Sequence, residues 1–358
     1  MSGGRLTLLL TSPRLPAGLL TREAWQVLEA ADEVLGHPDE PQVAAVTAAG
    51  LSVADPASAH PDLPLGRDLV ARADGRAVVW VGSSDADPGL TDTVAAEVTR
   101  LVGAGVTPPD VEVLVGSWDP PGARVLDLVA VMDRLRSPGG CPWDAQQTPS
   151  TLVPYLVEEA HEAVEAIEAA ADAEARGAVP DRVAVVEELG DVLLQVAFHA
   201  RVGEEHPHTP FDLDDVADAI VTKLVRRHPH VFAVDGSFGS DAADAGAVEA
   251  NWEQIKAGEK AARGDGDTGP LAGVPAGLPP LARATKVVSR LRRRDAADLL
   301  DGALTDDDPA PTAVAGRRLL SLVAELEADG VDPDQALRGV LRTLDAAATR
   351  PGPPDRDR

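Results

Sequence analysis

A single cysteine, Cys141, leaves no partner for an internal disulfide, and a reducing compartment, the cytoplasm, is the expected home of the chain. No apolar run approaches the roughly 20 residues of a membrane span, and the opening run at residues 6–10 is too short for the apolar core of a secretion signal. Positive charge is scarce: 32 Lys and Arg stand against 59 Asp and Glu, a formal charge of −27. That balance argues against a nucleic-acid groove or an anionic membrane surface as partner. Aromatic residues make up 3% of the chain, so each Trp draws scrutiny as either core or contact residue. What is plentiful is acid, on a chain of 358 residues that is long enough for two or three domains.

The acid is most organised across residues 151–199. In the first half, Leu152, Leu156, Ala160, Ala163 and Ile167 recur at helical steps and predict a buried stripe. Glu159 lies about 60° and Glu162 about 120° from the middle of that stripe. After a break at Gly177 and Pro180, a second helix is predicted, with Val185, Leu189, Val192 and Val196 as its stripe. This helix is apolar nearly all round and is expected to be central. Glu188 sits about 100° from its stripe, with Asp191 one turn on. In so acidic a chain, carboxylates three residues apart are common and most are solvated. Two such pairs on neighbouring helices can converge, and converged carboxylates repel unless a cation holds them.

Before this stretch, residues 5–11 read as a buried strand and Thr21 as the cap of a helix seamed by Trp25, Leu28, Ala31 and Leu35. The β-rich runs 77–81 and 111–115 flank a helix seamed by Val94, Val98 and Leu101, which implies a small α/β unit. Residues 12–36, together with Gly-Ser-Ser-Asp-Ala-Asp-Pro-Gly at 82–89, resemble the front half of the tetrapyrrole methylase family. That family has a Gly-rich turn after its first strand; here the side chains of Leu10-Thr11-Ser12-Pro13-Arg14 would block close approach of a ligand to the backbone. Residues 1–117 are therefore expected to be non-catalytic.

A linker at 117–122 leads to a helix over 124–136, seamed by Leu126, Val129, Met132 and Leu135, and then to Ser-Pro-Gly-Gly-Cys-Pro-Trp-Asp at 137–144, a loop placing Trp143 and Asp144 ahead of the acidic helices. Beyond those helices, Lys223, Arg226 and Arg227 fall in one turn before Pro229 ends the helix. Such a cluster can simply complement the helix dipole. Beside a cation cage it also suits a polyphosphate. Trp252 and Lys256, on a polar helix at 248–262, suit either a base and a phosphate or plain amphipathic packing.

Five ordered motifs across residues 124–286 resemble the MazG family of nucleoside triphosphate pyrophosphohydrolases. They are the run 132–144, Glu-Glu-Ala-His-Glu at 158–162, Glu-Leu-Gly-Asp at 188–191, the run 223–232, and Trp-Glu-Gln-Ile-Lys at 252–256. The resemblance implies an all-α, dimeric module that uses Mg²⁺, with Mn²⁺ as a substitute, to convert nucleoside triphosphates to monophosphate and pyrophosphate. It implies Glu159, Glu162, Glu188 and Asp191 as metal ligands, with Glu158 completing the acidic motif; in hydrolysis Glu158 is expected to orient or deprotonate the attacking water. Lys223, Arg226, Arg227, Trp252 and Lys256 become substrate contacts.

The expected architecture is α+β and multidomain. A small α/β unit (1–117) precedes a catalytic all-α module (124–262), a linker (263–280), a degenerate helical repeat (281–349) and a disordered tail (350–358). The repeat rests on the parallel between 315–324 and 189–198, in which Arg317 stands where Asp191 does. Two rival readings remain at this level. One is a non-enzymatic nucleotide-sensing scaffold; the other is a di-iron bundle built on Glu158 and His161, whose only counterpart, Glu205 with His208, is interrupted by Pro207.

Overall fold

The computed structural model describes residues 3–56, 63–83, 88–229, 231–232 and 269–348. The chain divides into two compact units, Met1–Ile220 and Val221–Arg358.

The first unit begins with alternating strands and helices: β1 (Arg5–Thr11), α1 (Arg22–Ala30), β2 (Glu33–Gly36), α2 (Pro41–Ala48), β3 (Val53–Ala54), α3 (Leu65–Arg72), β4 (Ala77–Ser83), α4 (Leu90–Gly103) and β5 (Asp110–Val115). The five strands form one parallel sheet in the order β3-β2-β4-β1-β5. Helices cover both faces, so the central strands β1 and β4 are apolar almost without interruption. On one face Leu6, Leu8, Leu35, Val78 and Trp80 pack against Leu69 and Val70 of α3 and Val94 of α4. On the other, Leu9, Val34, Val79 and Val81 meet Ala24 and Leu28 of α1 and Val43 and Val46 of α2. Thr21 caps α1 by accepting from the Ala24 amide, as expected. The seam proposed for that helix is corrected at its end: α1 stops at Ala30, and Leu35 is a fully buried residue of β2. A strand as short as β2 offers too few residues for its alternation to be told from helical spacing.

Beyond β1 the residues expected to block a ligand fill the strand ends. The Ser12 amide donates to Ser117 Oγ at 2.9 Å, and Ser12 Oγ donates to Asp119. The Arg14 guanidinium, its side chain 5% exposed, donates to Asp119 and Asp127 at 2.6 Å each. Asp127 belongs to α5 (Arg124–Arg136), so this buried cation fastens the sheet to the helices that follow.

Those helices are α5, the short α6 (Pro142–Gln146), α7 (Pro149–Ala175) and α8 (Arg182–Gly203). The loop expected at Trp143 and Asp144 is thus a turn of helix. It is held by Arg136, whose side chain is 4% exposed. Its guanidinium donates to the carbonyls of Asp144 (2.6 Å) and Gln147 (3.2 Å), pairs with Glu205 and lies 5.9 Å from the centre of the Phe198 ring. Gly140 is required here: a Cβ on it would lie 2.2 Å from the Leu135 carbonyl oxygen. Thr148 and Thr151 form a reciprocal capping box at the start of α7, and Asp181 caps α8 by accepting from the amides of Val183 and Ala184. Met132, Leu152, Ala197, Phe198 and Val202 form the core, with Leu128, Leu135 and Leu194 against it. Leu126, proposed for the α5 seam, is 49% exposed; Leu128 takes that role.

Helix α9 (Leu213–Arg227) follows, and the second unit contains α10 (Pro280–Arg293), α11 (Ala297–Thr305), α12 (Pro311–Ala328) and α13 (Pro333–Ala348) around Val288, Leu291, Leu300, Val323 and Ala324. The helix proposed at 248–262 and the tail at 350–358 lie outside the described residues. No helix among the described residues is long and apolar enough to cross a membrane.

Leu152 is 1% exposed and sits two turns before Glu159 on α7. Leu152→Ala should cost about 2–5 kcal/mol of stability, read as an earlier urea midpoint; an unchanged midpoint would show that the helical core does not rest on this residue.

Candidate functional site

The helix pair α7 and α8 carries the site, and the facing stripes differ from those read off the apolar residues. On α7 one sheltered line runs Leu152, Leu156, Glu159, Ala163, Ala166 and Ala170, while Ala160 is exposed and Ile167 is 45% exposed. Glu159 is therefore on the seam itself, about 60° closer to its centre than predicted. On α8 the corresponding line runs Glu188, Val192, Gln195, His199 and Val202, whereas Leu189 is 48% exposed. Among the described residues α8 is not apolar-covered all round: Val183, Val186 and Leu193 are also exposed, so the expectation of a fully central helix is corrected for its first half.

The consequence is convergence. Carboxylate oxygens of Glu159, Glu188 and Asp191 lie within 4.8 Å of one another. Glu162, one turn after Glu159, is close enough to share a hydrogen bond with it, and Glu158 contributes repulsion from the exposed side. No Lys, Arg or His among the described residues pairs with Glu159, Glu188 or Asp191. Burial raises the Glu159 carboxyl above its ordinary value, and the negative charges of Asp191, Glu162 and Glu158 raise it further. Glu188 is raised in the same way, by burial first and then by Glu162, Asp191, Glu187 and Glu165.

This donor set fits a hard divalent cation. It offers carboxylate oxygen only, the ligand type that suits Mg²⁺, Mn²⁺ and Ca²⁺ rather than softer metals. With one oxygen from each of Glu159, Glu188 and Asp191 within 4.8 Å of the others, these three residues would be the ones to hold such an ion.

The other predicted residues are placed as follows. Lys223 and Arg226 are exposed and Arg227 half-buried in the last turns of α9, within the second unit. Trp252 and Lys256 lie outside the described residues. Trp143 is 50% exposed and packs edge-on against Tyr155 of α7 at 5.7 Å and Phe198 of α8 at 6.4 Å, partly covering the end of the helix pair. The di-iron reading finds no support in the geometry: His161 is exposed, and Glu205 is engaged with Arg136 and Arg201. Gln195, which the sequence reading passed over, is 5% exposed and continues the line of Asp191 one turn along α8. Its signal was available as a polar residue four positions after the aspartate, inside an otherwise apolar run.

The raised carboxyls set a pH dependence. Below the ordinary Glu value of 4.5 the Glu159 and Glu188 carboxyls are protonated in the folded state, and their share of the repulsion is absent. As pH rises through the raised folded-state values, that advantage is lost. In EDTA at pH 7, Glu159→Gln should therefore melt at a higher temperature than the unsubstituted protein, with the difference vanishing towards pH 4. Added Mg²⁺ should reverse the order, since the carboxylate form gains binding energy that the amide lacks. A lower melting temperature for the metal-free variant at pH 7 would contradict the repulsion.

Residues 147–232 match the family model described as the MazG nucleotide pyrophosphohydrolase domain. An uncharacterised 26.1 kDa protein of Streptomyces cacaoi is 47% identical over 260 residues, covering 72% of this chain and 93% of that protein. A nucleoside triphosphate pyrophosphohydrolase of Mycolicibacterium smegmatis is 42% identical over 54% of each chain. One from Escherichia coli (strain K12) is 42% identical over 46% of this chain and 55% of its own. The chain thus spans about half the length of these two named enzymes. Helices α7 to α9, which bear the acidic motifs and the basic cluster, are the part that the family model matches, and the chain belongs to the MazG family.

Proposed function

We propose that this protein hydrolyses nucleoside triphosphates to the monophosphate and pyrophosphate, with Mg²⁺ held by Glu159, Glu162, Glu188 and Asp191. The observation that carries this reading is the meeting of three carboxylates from two helices within 4.8 Å, with no cationic side chain to offset them among the described residues. When bound, the ion would neutralise phosphate charge and ease deprotonation of water, with Mn²⁺ able to substitute. Glu158, on the exposed side of the cluster, is assigned to orient the attacking water. Lys223, Arg226 and Arg227 are assigned to the charge that builds on the pyrophosphate leaving group, and Trp252 and Lys256 to the remainder of the substrate. Cleavage between the α and β phosphates needs positioning and charge, so no Ser, Cys or His nucleophile is required.

The same reading assigns the other parts of the chain. Residues 1–117, with the tetrapyrrole methylase resemblance, serve as a non-catalytic unit, supported by the side chains of Ser12, Arg14, Ser117 and Asp119 that fill the ends of the strands. Residues 281–349 act as a degenerate repeat in which Arg317, donating to the Asp308 carbonyl, replaces the metal-binding aspartate. A homodimer is supported by the apolar side chains left open on the helix pair, among them Val157, Ile167, Val183, Val186 and Leu189. The protein works on the cytoplasmic nucleotide pool, with no nucleic acid or membrane as partner.

Turnover decides between this enzyme and a nucleotide-sensing scaffold. A panel of standard, deoxy and oxidised triphosphates with Mg²⁺, scored for pyrophosphate against orthophosphate, should give pyrophosphate. Asp191→Asn and Glu162→Gln should each lower kcat/KM by about 100-fold or more while the far-ultraviolet circular dichroism stays unchanged. Tight triphosphate binding with no pyrophosphate from the unsubstituted protein would favour the scaffold instead.

A further inference from the structure

Two buried polar atoms on α8 are left without hydrogen-bond partners, Gln195 Oε1 and His199 Nε2. A buried acceptor left unpaired is destabilising, and its survival calls for something that satisfies it. Asp191, Gln195 and His199 follow one another at four-residue steps, so they lie along one line of the helix, on the side facing α7. Side chains on a helix lean towards its N-terminus, which directs Gln195 back to the turn of Asp191 rather than away from the cluster.

The chemistry of the amide narrows what it serves. A water bound to a divalent cation is a strong hydrogen-bond donor, and Mg²⁺ keeps several of its waters when held by carboxylates. Such waters need acceptors. A further carboxylate would add charge to a cluster that already gathers Glu159, Glu188 and Asp191 within 4.8 Å. A neutral carbonyl oxygen accepts without doing so. Gln195 is also 5% exposed, so bulk water cannot readily take the place of the partner it lacks.

We propose that Gln195 is a positioning residue of the metal site, whose Oε1 accepts a hydrogen bond from a water carried by the divalent ion held at Glu159, Glu188 and Asp191. This rests on the metal-site reading above and extends it by one turn of α8. The competing explanation is internal: a rotation of either side chain could pair Gln195 Oε1 with His199 Nε2, which would make the two a structural couple with no part in metal binding.

The intact 358-residue chain separates these explanations through Mn²⁺ binding measured by electron paramagnetic resonance, with melting in EDTA alongside. Gln195→Met keeps the shape of the side chain and removes its acceptor; Gln195→Glu keeps an acceptor. Gln195→Met should melt in EDTA at or above the temperature of the unsubstituted protein, and its Mn²⁺ affinity should fall by about 10- to 100-fold, the range typical of groups that support metal ligands. Gln195→Glu should bind Mn²⁺ at least as tightly as the unsubstituted protein. Saturating Mg²⁺ should leave the KM for triphosphate of the Met variant unchanged. Mn²⁺ affinity of Gln195→Met within about twofold of the unsubstituted protein would overturn the proposal, and so would a lower melting temperature in EDTA with affinity retained, the mark of a Gln195–His199 couple. Equal losses in both variants would overturn it too, as a packing effect. If the unsubstituted protein itself binds no Mn²⁺, the metal-site reading fails rather than this extension of it.

Discussion

Mutual repulsion among carboxylates sheltered between two helices is the constraint on which the account turns. Glu159 and Glu188 are half-buried, and the charges nearest to them are negative. Left alone, such an arrangement favours protonation or opening of the helix pair. It persists because the helices are joined elsewhere, through Leu152, Phe198 and Val202 at the opposite end of the contact. Stability is stored at one end of the α7 and α8 pair and strained at the other, the pattern expected where a site is prepared for a ligand of opposite sign.

The surrounding structure serves that preparation. Arg136 joins α5, α6 and the end of α8 through carbonyls, Glu205 and the face of Phe198, so the segment rich in Gly and Pro before α7 is held in one conformation. Cys141 donates its amide to the Leu135 carbonyl at 2.7 Å across the gap that Gly140 leaves open. Arg14 does the same work on a larger scale, linking the end of the parallel sheet to α5. Both arginines are nearly buried and both are ringed by acceptors, which is the condition under which a buried charge is tolerated. In a chain of net charge −27, these cations are placed as fasteners between elements.

Much of this was legible from residue order, and the misreadings are informative. The strands Arg5–Thr11 and Ala77–Ser83, the cap at Thr21 and the helix Arg124–Arg136 follow directly from apolar runs, turn residues and capping chemistry. The seams of α7 and α8 are displaced from the apolar periodicity. That periodicity points to Ala160, Ile167 and Leu189, and the helices instead turn Glu159, Glu188 and Gln195 inward. A binding site breaks the apolar pattern by occupying core-facing positions with polar groups, so periodicity is least reliable where function is densest. The exposed apolar residues on the outer face are the other half of the same displacement. They look like core in the sequence and remain largely exposed among the described residues of this one chain.

Crystals grown with saturating MnCl₂ and measured at a wavelength where manganese scatters anomalously give the most direct view of the central claim. The account predicts an anomalous peak between α7 and α8, within coordination distance of carboxylate oxygens of Glu159, Glu188 and Asp191. A cluster that stays free of manganese under those conditions, its carboxylates separated or paired with basic side chains, would contradict it.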